Sequence, residues 1–277
     1  MYRSSQSSES ENGAAELKSS ARQAHPAAAR GFEAGTDAYV RGRPEFPDAV
    51  LDWLRQDLGL GSGRIAVDLG AGTGKFTRLL ARTGADVIAI EPVAAMRERL
   101  GRDLPAVTTM AGRAQQMPLQ ASRADAVICA QAFHWFASAE ALAEIGRVLK
   151  PGGMLGLIWN VRDESVPWVA ELTRIMAPHE GDAPLYYQNE WRRVFPARGF
   201  GELRERTFSN RHIGPAEHVI LDRVASVSFI AALDAPVRHR VLDEVRALIA
   251  ATPELAGRTE VSVPYLTRAY WCRRNPE

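Results

Sequence analysis

Cysteine is scarce. Two residues, Cys129 and Cys272, serve a chain of 277 residues. Each sits among apolar neighbours, which predicts small buried hydrophobes in a reducing compartment rather than a disulfide framework. No metal-ligand spacing surrounds them, so no metal is expected. Net charge is equally scarce. Thirty-four basic residues face 33 acidic ones, for a formal charge of +1. That leaves no electrostatic case for a nucleic-acid or membrane partner. No apolar run reaches the ~18 residues of a membrane span. The first residues lack an apolar signal core, and Glu9, Glu11 and Glu16 speak against an organellar transit peptide. A cytoplasmic protein is expected. Residues 1–30 hold almost no large apolar side chain, which predicts a disordered tail.

What is present is ordinary for a folded domain, with 46% hydrophobic and 24% charged residues. The informative stretch is Ile65-Ala66-Val67-Asp68-Leu69-Gly70-Ala71-Gly72-Thr73-Gly74-Lys75-Phe76. A β-prone run ends in an acid, three glycines follow at alternate positions, and a helical pattern begins. This predicts strand, tight turn and helix. Glycine lets the chain turn sharply and lets a ligand lie against the backbone. The spacing is not the dinucleotide G-x-G-x-x-G, because position 75 is Lys. It is not the phosphate loop either, because positions 69 and 76 are Leu and Phe. A loop for S-adenosylmethionine, and a plain strand-to-helix turn, both stay open. Asp68 favours the former: a carboxylate repels a pyrophosphate and suits a cation. Asp86-Val87-Ile88-Ala89-Ile90-Glu91 is a second strand ending in an acid. Glu91 lies 23 residues after Asp68, near the ~20-residue interval at which an acid meets ribose hydroxyls.

With these pieces quoted, the sequence resembles a class I S-adenosylmethionine-dependent methyltransferase. Asp68 to Gly74 resembles that family's first motif and Ala89-Ile90-Glu91-Pro92 its second. Leu149-Lys150-Pro151-Gly152-Gly153 resembles the turn before its fifth strand. Phe133-His134-Trp135-Phe136 and Arg41-Gly42-Arg43-Pro44 resemble the small-molecule, trans-aconitate methyltransferase-like branch. The resemblance implies a folded domain over 31–277, with cap or lid elements near 32–60 and 163–255. It implies cofactor contacts from Tyr39, Arg43, Asp68, Gly70, Ala71, Gly72, Glu91, Pro92, Ala114, Gln115 and Gln131. Tyr39 and Arg43 would take the methionine carboxylate, which suits a planar guanidinium. Ala114 and Gln115 would border adenine, with Pro92 and Met96 as apolar neighbours. Trp135, Asn160 and Arg162 are candidates to face substrate, with Arg192, Arg193, Arg211 and His212 as further cations. His134 is the candidate general base, since its ordinary pKa suits neutral pH. Phe133 and Trp135 are candidates to face the sulfonium, and Phe136 is expected in the core. No Asn-Pro-Pro-Tyr segment occurs, which lowers the weight of adenine or glutamine amino groups as acceptors.

Strands are expected at 64–69, 86–91, 106–111, 124–130 and 153–160, with helices at 74–83, 93–102, 137–149 and 167–177. A further strand is expected at 202–208, helices at 216–232 and 237–251, and a last strand at 261–272. The alternation predicts an α/β, Rossmann-like, doubly wound sheet of seven mostly parallel strands, closed by an antiparallel strand and carrying a helical cap. The implied activity is methyl transfer from S-adenosyl-L-methionine to an oxygen or nitrogen of a small molecule, a carboxylate being one candidate. A methyltransferase acting on a macromolecule and a non-catalytic cofactor-binding module are the alternatives. Monomer and homodimer both stay open.

Overall fold

The computed structural model describes residues 42–181 and 184–276. The expected tail and Tyr39 lie outside the described residues. Within them, seven strands form: β1 (Ile65–Leu69), β2 (Asp86–Ile90), β3 (Thr108–Met110), β4 (Ala124–Ala130), β5 (Leu149–Arg162), β6 (Arg204–Gly214) and β7 (Val261–Arg273). They pair in the order β3-β2-β1-β4-β5-β7-β6. β1 to β5 run parallel, and β7 is antiparallel to both of its neighbours. This is the expected fold class.

The sheet is covered on both faces because side chains alternate along each strand. Val67 and Leu69 of β1 face one cluster, with Ile145 and Leu142 of α4 (Ala139–Val148) and the buried Trp191. Ala66 faces the other, with Phe76 and Leu80 of α2 (Lys75–Ala81). That second face also takes α1 (Val50–Asp52) and the π-wound segment Trp53–Asp57 that continues it. Trp53 is fully buried there, beside Gly156 of β5, where an added Cβ would stand 3.1 Å from the indole. A third cluster holds the cap together. It joins α5 (Pro167–Met176), the segment Glu217–Asp222, and α6 (Ala235–Ala251) to the first half of β7. Between β2 and β3 runs α3 (Ala94–Asp103).

Three elements differ from expectation. The helix expected over 216–232 is broken into Glu217–Asp222, Arg223–Ala225 and Ser228–Ala231, with Val227 extended between the last two. β6 runs six residues past the expected end, because every residue from Arg204 to Gly214 pairs with β7. β5 starts four residues early, yet the Lys150–Gly153 turn survives inside it: Ala124 pairs with Leu149 and Ala126 already with Met154, so the intervening residues loop out.

Candidate active site

The carboxyl ends of β1, β2, β4 and β5 open into one cavity of about 1010 Å³. A sheet of this order leaves a crevice where the strand order reverses, here between β1 and β4. Arg43, Asp68, Gly70, Ala71, Gly72, Glu91, Pro92, Ala114, Gln115, Gln131, His134, Trp135, Asn160 and Arg162 all line it.

The glycine loop forms its floor. Gly70 and Gly72 hold φ of +77° and +57°, values that side-chain-bearing residues rarely adopt. A Cβ on Gly70 would also stand 2.8 Å from the Cβ of Ala132. The loop is tied to the next strand, since Gly70 N–H donates to Ile90 O at 2.8 Å. Glu91 holds the same loop from the other side. Its carboxylate accepts from Gly72 N at 2.9 Å and from Val93 N at 2.9 Å. Burial pushes the Glu91 carboxyl above its ordinary value, against those two bonds and the Arg97 charge.

Asp68 sits beneath this loop and is fully buried. One oxygen accepts from Thr77 Oγ1 at 2.6 Å, and the other, Oδ1, is shut off from solvent with no hydrogen-bond partner. Burial, helped by the Glu91 charge and opposed by the Thr77 bond, raises its pKa to about 7. A buried carboxylate oxygen without a donor is an acceptor that a cationic or N–H-bearing ligand satisfies.

The roof is the segment 43–46. Lys75 at the start of α2 donates to Arg43 O and pairs with Glu45 Oε1 at 3.0 Å. Asn160 Nδ2 donates to Glu45 O at 3.2 Å, while its Oδ1 accepts from Thr267 Oγ1 and from Asn210 Nδ2 at 3.0 Å. Asn160, expected at the substrate, thus spends its amide on bracketing the roof. Gln131 at the end of β4 has φ of +57°, and its Nε2 donates to Asn160 O at 3.1 Å. Strain of this kind persists where surrounding bonds over-determine it.

One wall is aromatic. Trp159 lies 4.8 Å from Tyr186 and 4.7 Å from Trp191, ring centre to ring centre. Tyr186 and Tyr270 share a hydroxyl hydrogen bond of 2.6 Å. Trp159 Nε1 donates to His134 Nδ1 at 3.0 Å. An imidazole that accepts at one nitrogen carries its proton on the other. His134 is half-buried and lines the cavity, and burial, then the Arg43 charge, lower its pKa to about 3. Neutral His134 therefore presents an N–H donor and no free lone pair.

Phe133, expected at the sulfonium, is fully buried in the core instead, whereas Phe136 packs against that core as expected and also lines the cavity. Met96 is 6% exposed and reaches the cavity as well. Of the extra cations, Arg192 lines the cavity but is paired with Glu205 at 2.6 Å. Arg193, Arg211 and His212 do not line it. Lys75, Thr77, Arg223, Tyr186 and Tyr265 went unnoticed in the sequence. Lys75 had a signal, its place at the start of the helix after the glycines. Arg223 had none, because only the fold brings it to the cavity.

A family described as methyltransferase domain matches residues 67–157. An uncharacterised methyltransferase-like protein of Schizosaccharomyces pombe is 36% identical over 248 residues, 88% of this chain and 96% of its own length. An uncharacterised methyltransferase of Mycobacterium tuberculosis is 39% identical over 236 residues, covering 85% and 92%. The chain belongs to the class I S-adenosylmethionine-dependent methyltransferases. The fold agrees with a structure from Anaeromyxobacter dehalogenans, provisionally described as a type II methyltransferase, at a TM-score of 0.66 and 24% identity, covering 85% of this chain and 99% of that one. The cofactor of the methyltransferase is S-adenosyl-L-methionine. The residues present fit it: Gly70 and Gly72 leave the backbone bare, and Asp68 Oδ1 waits for a donor. Among the described residues, no helix is long and apolar enough to cross a membrane.

Proposed function

We infer that the methyltransferase modifies an oxygen or nitrogen of a small-molecule acceptor that is nucleophilic without help from a protein base. The cofactor supplies the methyl group and carries away the bonding electron pair as its demethylated thioether. Asp68 would hold its cationic amino-acid part, Arg43 its carboxylate, Glu91 the ribose hydroxyls, and Ala114, Gln115, Pro92 and Met96 the adenine. Glu91 has capacity for this, because each carboxylate oxygen has two lone-pair sites and one bond per oxygen is used. Gln131 and Trp135 would stand where the two ligands meet.

The observation that carries this reading is the state of His134. With Nδ1 occupied by Trp159 and a pKa near 3, it is a poor proton acceptor at neutral pH. Tyr186 and Tyr187 are held above their ordinary value by burial, so neither offers a phenolate. An acceptor that ionises by itself, or an unprotonated nitrogen, needs none of them. His134 would then donate its N–H to the acceptor and orient it. The roof bracketed by Lys75 and Asn160 supports a small acceptor over one carried on a large partner. The test is transfer of labelled methyl from S-adenosylmethionine to a panel of carboxylates, amines and phenols. The reading predicts turnover with a carboxylate or free amine and, at saturating S-adenosylmethionine, a rate without a limb near pH 6.5. Turnover only with a phenol or alcohol of high pKa, or only with RNA or protein, would overturn it.

A further inference from the structure

Beyond the glycine loop the cavity lining carries Arg162, Arg192, Arg223 and Arg268 beside Asp163, Glu164 and Glu205. Arg162 closes β5, and Tyr265 on β7 is its direct cross-strand partner. Residues so placed project from the same face of the sheet. Arg223, from the broken helical segment of the cap, lines the same cavity. The two guanidiniums stand near enough to oppose each other. Burial first, then the Arg223 charge, holds Arg162 below its ordinary value.

Among the described residues, neither arginine forms an ion pair. Arg162 gives its Nε to Thr173 Oγ1 at 3.2 Å, a neutral acceptor. The Thr173 hydroxyl in turn donates to Glu164 Oε1 at 2.8 Å, so that exposed carboxylate meets Arg162 through Thr173. Arg223 Nε and Nη1 are shut off from solvent with no hydrogen-bond partner among the described residues. The Tyr265 hydroxyl, on a residue 3% exposed, has none either. Donors left in this state are costly unless a ligand accepts from them. Arg192 and Arg268 line the cavity too, and Arg192 is already matched by Glu205.

We propose that Arg162, Arg223 and Tyr265 form an anchor for a carboxylate group of the methyl acceptor. A planar carboxylate takes two N–H groups of a guanidinium side by side and leaves lone pairs for a hydroxyl. A single negative charge matches the site: the four arginines Arg162, Arg192, Arg223 and Arg268 set against Asp163, Glu164 and Glu205 leave one positive charge over. A phosphate dianion would overfill it. The anchor rests on the methyltransferase reading above and adds the chemical class of the acceptor to it.

The test is calorimetric titration of the protein saturated with S-adenosylhomocysteine. The probes are benzoate, phenylacetate, succinate and glutarate, each against its primary amide, with inorganic phosphate alongside. At least one carboxylate should bind about tenfold tighter than its amide. Arg223→Gln should cost that carboxylate about tenfold and Tyr265→Phe about three- to tenfold, with affinity for S-adenosylhomocysteine unchanged. Tyr265→Phe removes one oxygen, so it keeps the test decisive where Arg223→Gln does not fold. The anchor is overturned where amides bind as well as acids, where both variants keep full carboxylate affinity, or where phosphate alone binds. Binding of S-adenosylhomocysteine without any carboxylate sinks the anchor and spares the methyltransferase site. Failure of S-adenosylhomocysteine itself sinks both.

Discussion

Asp68 makes cofactor affinity a function of pH near neutrality. Its folded pKa is about 7 because it is buried beneath the glycine loop, beside Glu91. A cationic ligand binds the ionised form, so the apparent Kd is the intrinsic value divided by the ionised fraction. With a pKa of about 7, that fraction is about 0.03 at pH 5.5 and about 0.76 at pH 7.5. Affinity for S-adenosylmethionine should therefore rise about 25-fold between those two pH values. Binding at pH 6 should release about 0.9 proton, because Asp68 must ionise to meet its ligand. Titration calorimetry in buffers of different ionisation enthalpy reads both quantities. Asp68→Asn should bind weakly at every pH and lose the proton release, whereas any titration of the ligand itself would persist in the variant. His134 does not enter, since at about 3 its pKa lies below the whole range. Unliganded stability would be a poorer probe. Asp68 is raised, so its contribution is present below about pH 4 and lost as pH rises through about 7. His134 is lowered, so its contribution is absent at about pH 3 and gained up to about pH 6.5. At ~1.4 kcal/mol per unit the two nearly cancel where they overlap. A Kd that moves less than threefold from pH 5.5 to 7.5, with no proton released, would refute the argument.

Three further outcomes follow from named contacts. Gly70→Ala forces a side chain into a φ of +77° and against Ala132; it should cost about 1–3 kcal/mol of stability, seen in urea melts, and abolish cofactor binding. Asn160→Ala removes one of the two amides that donate to Glu45 O, Asn210 keeping the other at 2.8 Å, and also the partner of Thr267, so limited proteolysis should cut near residues 43–46 faster than in the parent protein while the sheet stays folded. Nitrogen NMR of the imidazole should show His134 neutral, with its proton on Nε2, down to pH 5; a titration centred near 6.5 would restore it as a candidate base.

How much of this was legible in the sequence depends on the range of the interactions that make it. The sheet was legible because β1, β2 and β4 are short, mostly apolar runs, β1 ending at a glycine and β2 at an acid. The cofactor end was legible for the same reason: Asp68, Gly70 and Gly72 lie within five residues, and Glu91 reaches back only 19 to meet Gly72. The chemistry of a single residue was not. His134 looks like a base in isolation, and what decides otherwise is an indole 25 residues later, on another strand. Asn160 looked like a substrate contact because it ends a strand at the right edge. Its amide is spent on the roof, 115 residues earlier, and on Thr267, 107 residues later.

The acceptor end carries that logic furthest. Arg162, Arg223 and Tyr265 come from β5, the cap and β7, and only pairing of the antiparallel strand brings the first and last face to face. Asp68 and Glu91 come to the cavity from local motifs, whereas Arg162 and Arg223 are brought there by topology. With the proposed anchor, a cationic cofactor and an anionic acceptor would each meet their own group of charges in one cavity, where charges act over longer range than in water. Changing the acceptor would then require changing residues near 162, 223 and 265 and leaving the glycine loop alone. Exchanging Arg223 for a neutral residue should shift acceptor preference from carboxylate toward amide without moving the pH dependence that Asp68 imposes on the cofactor. If one substitution moved both, the two ends would be coupled, and the division of the cavity into separate halves would be wrong.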